Sequence, residues 1–300
     1  MLIAPEPFTD RRGEYAAASP PPGAPPRPGM VWIPGGTFSM GCAHFYPEER
    51  PVRRVAVSGF WMDATPVTNA AFAKFVAATG YVTLAERAED DPASAVFVRP
   101  RAATPLDDPR AWWKLMKADW RHPRGRKSTI AGLAKHPVVQ VTYEDALAYC
   151  AWAGTSLPTE AEWEFAARGG LDGAIFAWGN RELGADGKRL ANTWQGRFPD
   201  QNLLHDGYEF TSPAGAYPAN GYGLYDMAGN VWELTEQELA EKGSCCGPAT
   251  DAPQQIVIKG GSYLCAPNYC FRYRPAAKSS QARDFATSHI GFRCIVRPTG

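Results

Sequence analysis

Glycine and proline set the first limit on this chain. With 29 Gly and 27 Pro among 300 residues, turns recur too often for long helices. Short irregular connections must carry much of the backbone. Three helices nevertheless declare both ends. Thr68 is an N-cap ahead of Phe72, Phe75 and Val76, and Gly80 closes that helix. Thr142 with Asp145 opens a second, which puts Ala146, Cys150 and Ala151 on one face and ends at Gly154. Thr159 with Glu162 forms a capping box for a third, closed by Gly169 and Gly170. Met30–Met40 reads as strand, glycine turn, strand, and Arg53–Phe60 alternates around Val55 and Val57 as one strand. Residues 84–135 have no clear periodicity. A stretch that long is expected to be functional surface or an excursion wrapped on the core. From residue 190 onward the chain reads as turns and short strands, without an internal repeat.

The length suits one large domain or two small ones, and 45% hydrophobic residues suffice for a core. A formal net charge of +0 and a pI of about 7.0 draw neither nucleic acid nor an anionic membrane. No run of 18 or more apolar residues occurs, so no helical span is expected. The start, Met1 to Phe8, is too short and polar for a signal peptide, which makes the expected location cytoplasmic. Residues 1–29 read as a disordered, proline-rich tail, either a plain linker or a partner motif. The folded domain is expected over 30–298. Seven cysteines, at 42, 150, 245, 246, 265, 270 and 294, are too few for a disulfide scaffold of this size.

Two of those cysteines carry the most chemistry. They lie in Lys259-Gly-Gly-Ser-Tyr-Leu-Cys-Ala-Pro-Asn-Tyr-Cys-Phe-Arg-Tyr-Arg274. Cys265 and Cys270, five apart behind a Gly-Gly-Ser turn, can hold a soft metal ion, act as a redox pair, or close a structural disulfide. Thiolates favour Cu(I) over hard cations. Zinc would want four ligands, and no further His or Cys pair stands nearby.

Other segments carry a resemblance. Trp32-Ile-Pro-Gly-Gly-Thr-Phe-Ser-Met-Gly41, Leu157-Pro-Thr-Glu-Ala-Glu-Trp-Glu164, Asn220-Gly-Tyr-Gly-Leu-Tyr-Asp-Met-Ala-Gly-Asn-Val-Trp-Glu233 and Gly291-Phe-Arg-Cys294 resemble the formylglycine-generating enzyme superfamily, from about Met30 to Val296. Ser262, Cys265, Cys270, Arg272 and Arg274, with Trp120-Arg-His-Pro123 and Asn192-Thr-Trp-Gln-Gly196, look like its copper-dependent enzymes. The resemblance implies a single mixed α/β (α+β) domain related to C-type lectins and poor in regular secondary structure. It implies oxidation of a cysteine in a client polypeptide to Cα-formylglycine, with Cu(I) and O₂. The usual client is a sulfatase with Cys-x-Pro-x-Arg.

Under that resemblance Cys265 and Cys270 become copper ligands and Ser262 a pocket hydrogen-bonding residue, its other reading being a turn residue. Two structural calcium ions are implied, which suits hard oxygen donors. One would take Asn192, the Thr193 carbonyl, Asp206 and the Tyr208 carbonyl. The other would take Asp226, the Gly229 and Val231 carbonyls and Glu233. Cys150 and Cys294 match a disulfide of some relatives, or Cys150 is simply a buried apolar residue. A second family disulfide lacks its cysteines, since Ala167 and Pro275 stand there.

The departures bear on the client. Ala266 follows the first site cysteine where His is frequent, and His289 stands where Asn is frequent. Leu234 replaces the usual Trp, and a Gly-Asp-Ser stretch associated with client arginine binding is blurred into Asp90–Ser94. Arg124, Arg126 and Lys127 bring positive charge where acids are common. Cys245 and Cys246 have no counterpart and read as idle thiols, a vicinal disulfide or a metal relay. The expectation is therefore a monomeric oxidoreductase acting on a sulfur group with O₂ as acceptor. The rival is a binding protein on the same fold. An iron sulfoxide synthase is disfavoured, because five scattered His do not make a His-rich metal site.

Overall fold

A computed structural model describes residues 20–88, 94–238 and 254–298. Cys245, Cys246 and residues 90–93 lie outside the described residues. In chain order the elements are β1 (Met30–Ile33), β2 (Gly36–Met40), β3 (Arg53–Val57), β4 (Phe60–Asp63), α1 (Asn69–Thr79), α2 (Leu84–Arg87), β5 (Ser94–Phe97), β6 (Trp113–Leu115), α3 (Tyr143–Ala153), α4 (Glu160–Arg168), β7 (Trp232–Glu238), β8 (Gln255–Lys259), β9 (Lys278–Ala282), β10 (Ala286–Thr287), β11 (Ile290–Gly291) and β12 (Ile295–Val296). The result is a mixed α/β fold with little regular structure.

The three long helices start and stop where their caps dictate. The Thr68 hydroxyl accepts from the Ala71 amide, and Thr142 and Thr159 form reciprocal capping boxes with Asp145 and Glu162. Gly80, Gly154 and Gly169 each end a helix in the left-handed region. The face of α3 differs from expectation. Ala146 and Cys150 are buried, but Ala151 is exposed and Tyr149 takes the inward position. Tyr149 lies three residues after Ala146 on the same stripe, whereas Ala151 has rotated past it.

Strand order departs from sequence order. The sheets run β1-β4-β12, β10-β5-β6, β11-β7-β8-β9 and β2-β3. The strand expected over Arg53–Phe60 is two strands in different sheets, β3 on β2 and β4 on β1 and β12. Gly59 makes the break. A Cβ there would lie 2.4 Å from the Trp32 indole, so only glycine lets the chain pass between sheets. Among its described residues the aperiodic 84–135 stretch forms α2, β5, β6 and a single 3-10 turn at Pro109–Ala111, joined by irregular chain.

Among the described residues three apolar clusters fill the interior. One joins α1 and α3 through Phe72, Phe75, Tyr149 and Phe292 and reaches Trp232 and Cys265. A second packs α4 on β1, β2 and β4 through Phe38, Phe60, Met62, Trp163 and Phe165. The third is an aromatic wall of Phe97, Trp112, Trp194, Phe198 and Tyr263 with Leu264 and Ala266. Buried ion pairs tie down what secondary structure does not. Arg293 meets Glu233, Lys259 meets Glu164, and Arg274 meets Glu49, all with side chains at most 1% exposed. No helix among the described residues is long and apolar enough to cross a membrane.

Candidate functional site

The cysteine pair is built by a glycine-enabled reversal after β8. Gly260 and Gly261 both have positive φ, 93° and 72°. A Cβ on Gly261 would press on the Tyr273 backbone at 3.0 Å. The chain then closes two tight turns. The Cys265 amide donates to the Ser262 carbonyl at 2.9 Å, and the Cys270 amide to the Ala266 carbonyl at 2.8 Å. These turns bring the two Sγ atoms to 3.0 Å. That is contact between thiols, well beyond a disulfide bond. Ser262 is fully buried, and its Oγ accepts from the Leu264 amide at 3.2 Å while its own amide points at Cys265 Sγ. The turn role and the cleft-lining role of Ser262 are thus both present.

The two thiols are not equivalent. Burial pushes Cys265 up, and its hydrogen bond to Cys270 adds to this. The same hydrogen bond draws Cys270 down against its burial, with Arg272 helping. Of the two, Cys270 is thus the readier to ionise and Cys265 the more reluctant. Segment 45–49 clamps the loop. The Phe271 amide donates to the Tyr46 hydroxyl at 3.0 Å, Arg272 lies 3.7 Å over the Tyr46 ring, and Arg272 pairs with Glu48 at 2.6 Å.

The pair faces a cleft of about 460 Å³. Ser262, Cys265, Cys270, Trp113, Tyr269, Arg272, Gln281, Phe285, Thr287 and His289 are among its walls. Sequence reasoning marked His289 only as a departure. Its Nδ1 lies 2.9 Å from the Thr287 hydroxyl, its ring sits 4.8 Å from Trp113, and burial lowers its pKa, so the cleft faces a neutral imidazole. Trp113, Tyr269, Gln281 and Phe285 were not picked out. Tyr269 stood inside the cysteine motif and stacks on Phe198 at 4.2 Å. Trp113 comes from β6, Gln281 from β9 and Phe285 from the turn that follows it, all outside the cysteine motif.

The oxygen-rich residues fall in two adjoining groups. In the first, the Asp206 carboxylate accepts from the Tyr217 hydroxyl at 3.0 Å and the Tyr208 amide at 3.1 Å, and the Asn192 side chain donates to the Phe210 carbonyl. Thr193 is buried beside them. The Asn192 carbonyl accepts from the Asn230 amide at 2.8 Å, which links this group to the next. In the second, Asp226, Gly229 and Asn230 all turn through positive φ. Asp226 is 7% exposed; its Oδ2 accepts from the Gly215 amide, but its Oδ1 is buried with no hydrogen-bond partner among the described residues. Desolvation, aided by nearby Glu233, raises its pKa to about 6. An orphaned buried carboxylate oxygen in a turn of carbonyls fits a hard cation. Glu233 is different: both oxygens accept from Arg293 at 2.7 Å and one also from the Trp163 indole. Among the described residues no three His, Cys, Asp or Glu side chains cluster as a metal site. The remaining cysteine pair, Cys150 and Cys294, is buried with sulfurs 3.6 Å apart.

Residues 16–298 match the Sulfatase-modifying factor enzyme 1-like domain. The formylglycine-generating enzyme of Mycobacterium tuberculosis is 51% identical over 294 residues, covering 90% of this chain and 98% of that protein. The mouse (Mus musculus) protein named inactive C-alpha-formylglycine-generating enzyme 2 is 40% identical, covering 89% of this chain and 85% of its own length. Among solved structures, PvdO from Pseudomonas aeruginosa superimposes with a TM-score of 0.62 at 24% identity, over 90% of this chain and 94% of its own, a likeness of fold.

Proposed function

The chain belongs to the formylglycine-generating enzyme family, and from that premise we propose that it oxidises a cysteine of a client polypeptide to Cα-formylglycine, using copper and O₂. The observation that carries this is the pair of thiols 3.0 Å apart at the wall of an open cleft. Family membership alone would not carry it, since a relative at 40% identity bears the name inactive.

The residues fit a soft monovalent cation. Cys265 and Cys270 would hold Cu(I) as thiolates, releasing their protons as it binds. When bound, copper supplies the redox chemistry with O₂. The chain supplies the rest. Tyr46, Glu48 and Arg272 hold the Cys270 loop so that both sulfurs converge. The aromatic wall and Tyr269 shield the site from bulk water on one side. The cleft then positions the client Cβ–H beside the sulfurs. The client CH₂–SH loses two electrons and two protons to become CH=S; O₂ takes these, with two more of each from an external thiol reductant, to give water, and hydrolysis of CH=S gives the aldehyde and H₂S. His289, neutral and oriented by Thr287, offers the client a polar group.

Calcium is proposed as structural, with Asp226, the Gly229 and Val231 carbonyls and Glu233 in one site, and Asn192, Thr193, Asp206 and Tyr208 in the other. The unpartnered Asp226 oxygen is the best support. The test of the activity is direct. Protein loaded anaerobically with Cu(I) is mixed with O₂ and a Cys-x-Pro-x-Arg peptide, and mass spectrometry follows thiol to aldehyde. Copper verifiably bound, with no cysteine peptide oxidised, would leave a binding role on the same fold.

A further inference from the structure

We propose that Glu49 and Arg274 are positioning residues for the cysteine pair: with Glu164 and Lys259 they form a buried brace that ties together the two arms of the cysteine loop and so sets the separation of its sulfurs. The inference rests on the reading of Cys265 and Cys270 as metal ligands, and adds residues that do not themselves line the cleft.

The Cys270 arm is fixed on both sides of the cysteine. Ahead of the side chain, the Cys270 amide donates to the Ala266 carbonyl at 2.8 Å. Behind it, the Phe271 amide donates to the Tyr46 hydroxyl, and the Phe271 carbonyl accepts from Arg274 Nε at 2.8 Å. The same guanidinium donates through Nη1 and Nη2 to the two oxygens of Glu49, at 3.0 Å for Nη1. It lies 3.8 Å over the Phe45 ring, which fixes its plane. One planar fork thus holds the residue after Cys270 and segment 45–49 in a single relation.

The Cys265 arm is held from the other end. Lys259 closes β8 just before the Gly260–Gly261 reversal, and its Nζ donates to Glu164 Oε2 of α4 at 3.0 Å. The other Glu164 oxygen accepts from the Gly41 amide at 2.8 Å. The next amide, that of Cys42, donates to the Glu49 carbonyl at 3.1 Å. Two neighbouring amides therefore couple the two ion pairs. Gly41 lets the coupling close: its φ is 95°, and a Cβ there would lie 2.4 Å from the Glu49 carbonyl. The four charged side chains are each at most 1% exposed, so no bulk water stands ready to replace a lost bond. Charge pairing alone does not account for this arrangement. A buried ion pair adds little net stability over apolar side chains of similar volume. What this one adds is direction, since its donors and acceptors are aimed at the backbone beside Cys270 and beside Gly41.

Glu49→Leu with Arg274→Met fills the space with apolar groups and gives up the bond to the Phe271 carbonyl. Arg274→Lys keeps the charge opposite Glu49, but one ammonium on a flexible stem cannot reproduce the fork. Cu(I) affinity, by competition with a chromophoric chelator, should fall roughly 10–100-fold in each variant that melts cooperatively. A second readout needs neither metal nor client. Metal-free protein is equilibrated with reduced and oxidised glutathione, and the peptide that carries both cysteines is weighed for the loss of two hydrogens to glutathione disulfide. Closure of the pair should be about tenfold less favourable in the variants, because sulfurs no longer held together have a lower effective concentration. A wild type that binds no Cu(I) would sink the metal reading, and the glutathione comparison would still decide the brace. Variants that fold and close the pair as readily as the wild type would overturn the proposal. So would an equal loss in Thr159→Ala, because the effect would then follow stability rather than the brace.

Discussion

Replacing Asp226 by Asn tests calcium and burial together, because the two predict opposite signs. Without a cation, Asp226 is a liability. It is 7% exposed, one oxygen has no partner among the described residues, and desolvation raises its pKa from 3.8 to about 6. The folded state therefore binds this proton more tightly than the unfolded chain. That stabilisation is present below pH 3.8 and is lost as pH rises through about 6. The displacement corresponds to about 3 kcal/mol. In chelator at neutral pH, Asp226→Asn should be more stable than the wild type by about 1–3 kcal/mol, the lower figure allowing for an imperfectly placed amide. For a domain of this size that is roughly 2–6 °C in Tm. The gain should close toward pH 4. With calcium the sign inverts. A native-state ligand stabilises the wild type by mass action, and the variant, lacking the carboxylate, should respond less. Thermal melts of both proteins, in chelator and in calcium, at acid and neutral pH, give the whole comparison. A variant less stable than the wild type in chelator at neutral pH would refute the burial argument. Equal calcium gains in the two proteins would refute the site.

Cys265→Ser and Cys270→Ser should each abolish tight Cu(I) binding and formylglycine formation, read by competition with a chromophoric chelator and by peptide mass; wild-type turnover in either would sink the copper assignment. Glu233→Gln should cost about 3–5 kcal/mol by leaving buried Arg293 unpaired, whether or not calcium is present, so denaturant melts in chelator should already register it. Thr159→Ala should cost about 1 kcal/mol through loss of the α4 cap, with copper affinity unchanged. Tyr46→Phe removes the hydroxyl that accepts from the Phe271 amide; it should lower kcat/KM by about tenfold or less while the fold melts nearly as before, and an unchanged rate would show that the Cys270 loop needs no such clamp.

Local chemistry was readable in the sequence wherever neighbours in the chain are neighbours in space. The three long helices were bounded by Thr68 and Gly80, Thr142 and Gly154, Thr159 and Gly169, because a cap acts within one turn of itself. The cysteine pair was readable for the same reason, since Gly260 and Gly261 and two short turns suffice to bring the sulfurs together. The family resemblance supplied the fold that no periodicity could. What the chain order hid was every relation made across sheets. Arg53–Phe60 looked like one strand because alternation continues through Ser58, and only the approach of Trp32 to Gly59 divides it. Glu233 reads as an oxygen ligand, but its pairing with Arg293 and Trp163, 60 and 70 residues away, is invisible in the chain order. The cleft wall needs β5, β6, β9 and the segment ending at His289, which lie far apart in the chain. Sequence thus determined the turns, the caps and the reactive pair, whose forces are short-range. Tertiary structure decided the surroundings of that pair, because burial and charge pairing depend on contacts between residues that the chain keeps far apart.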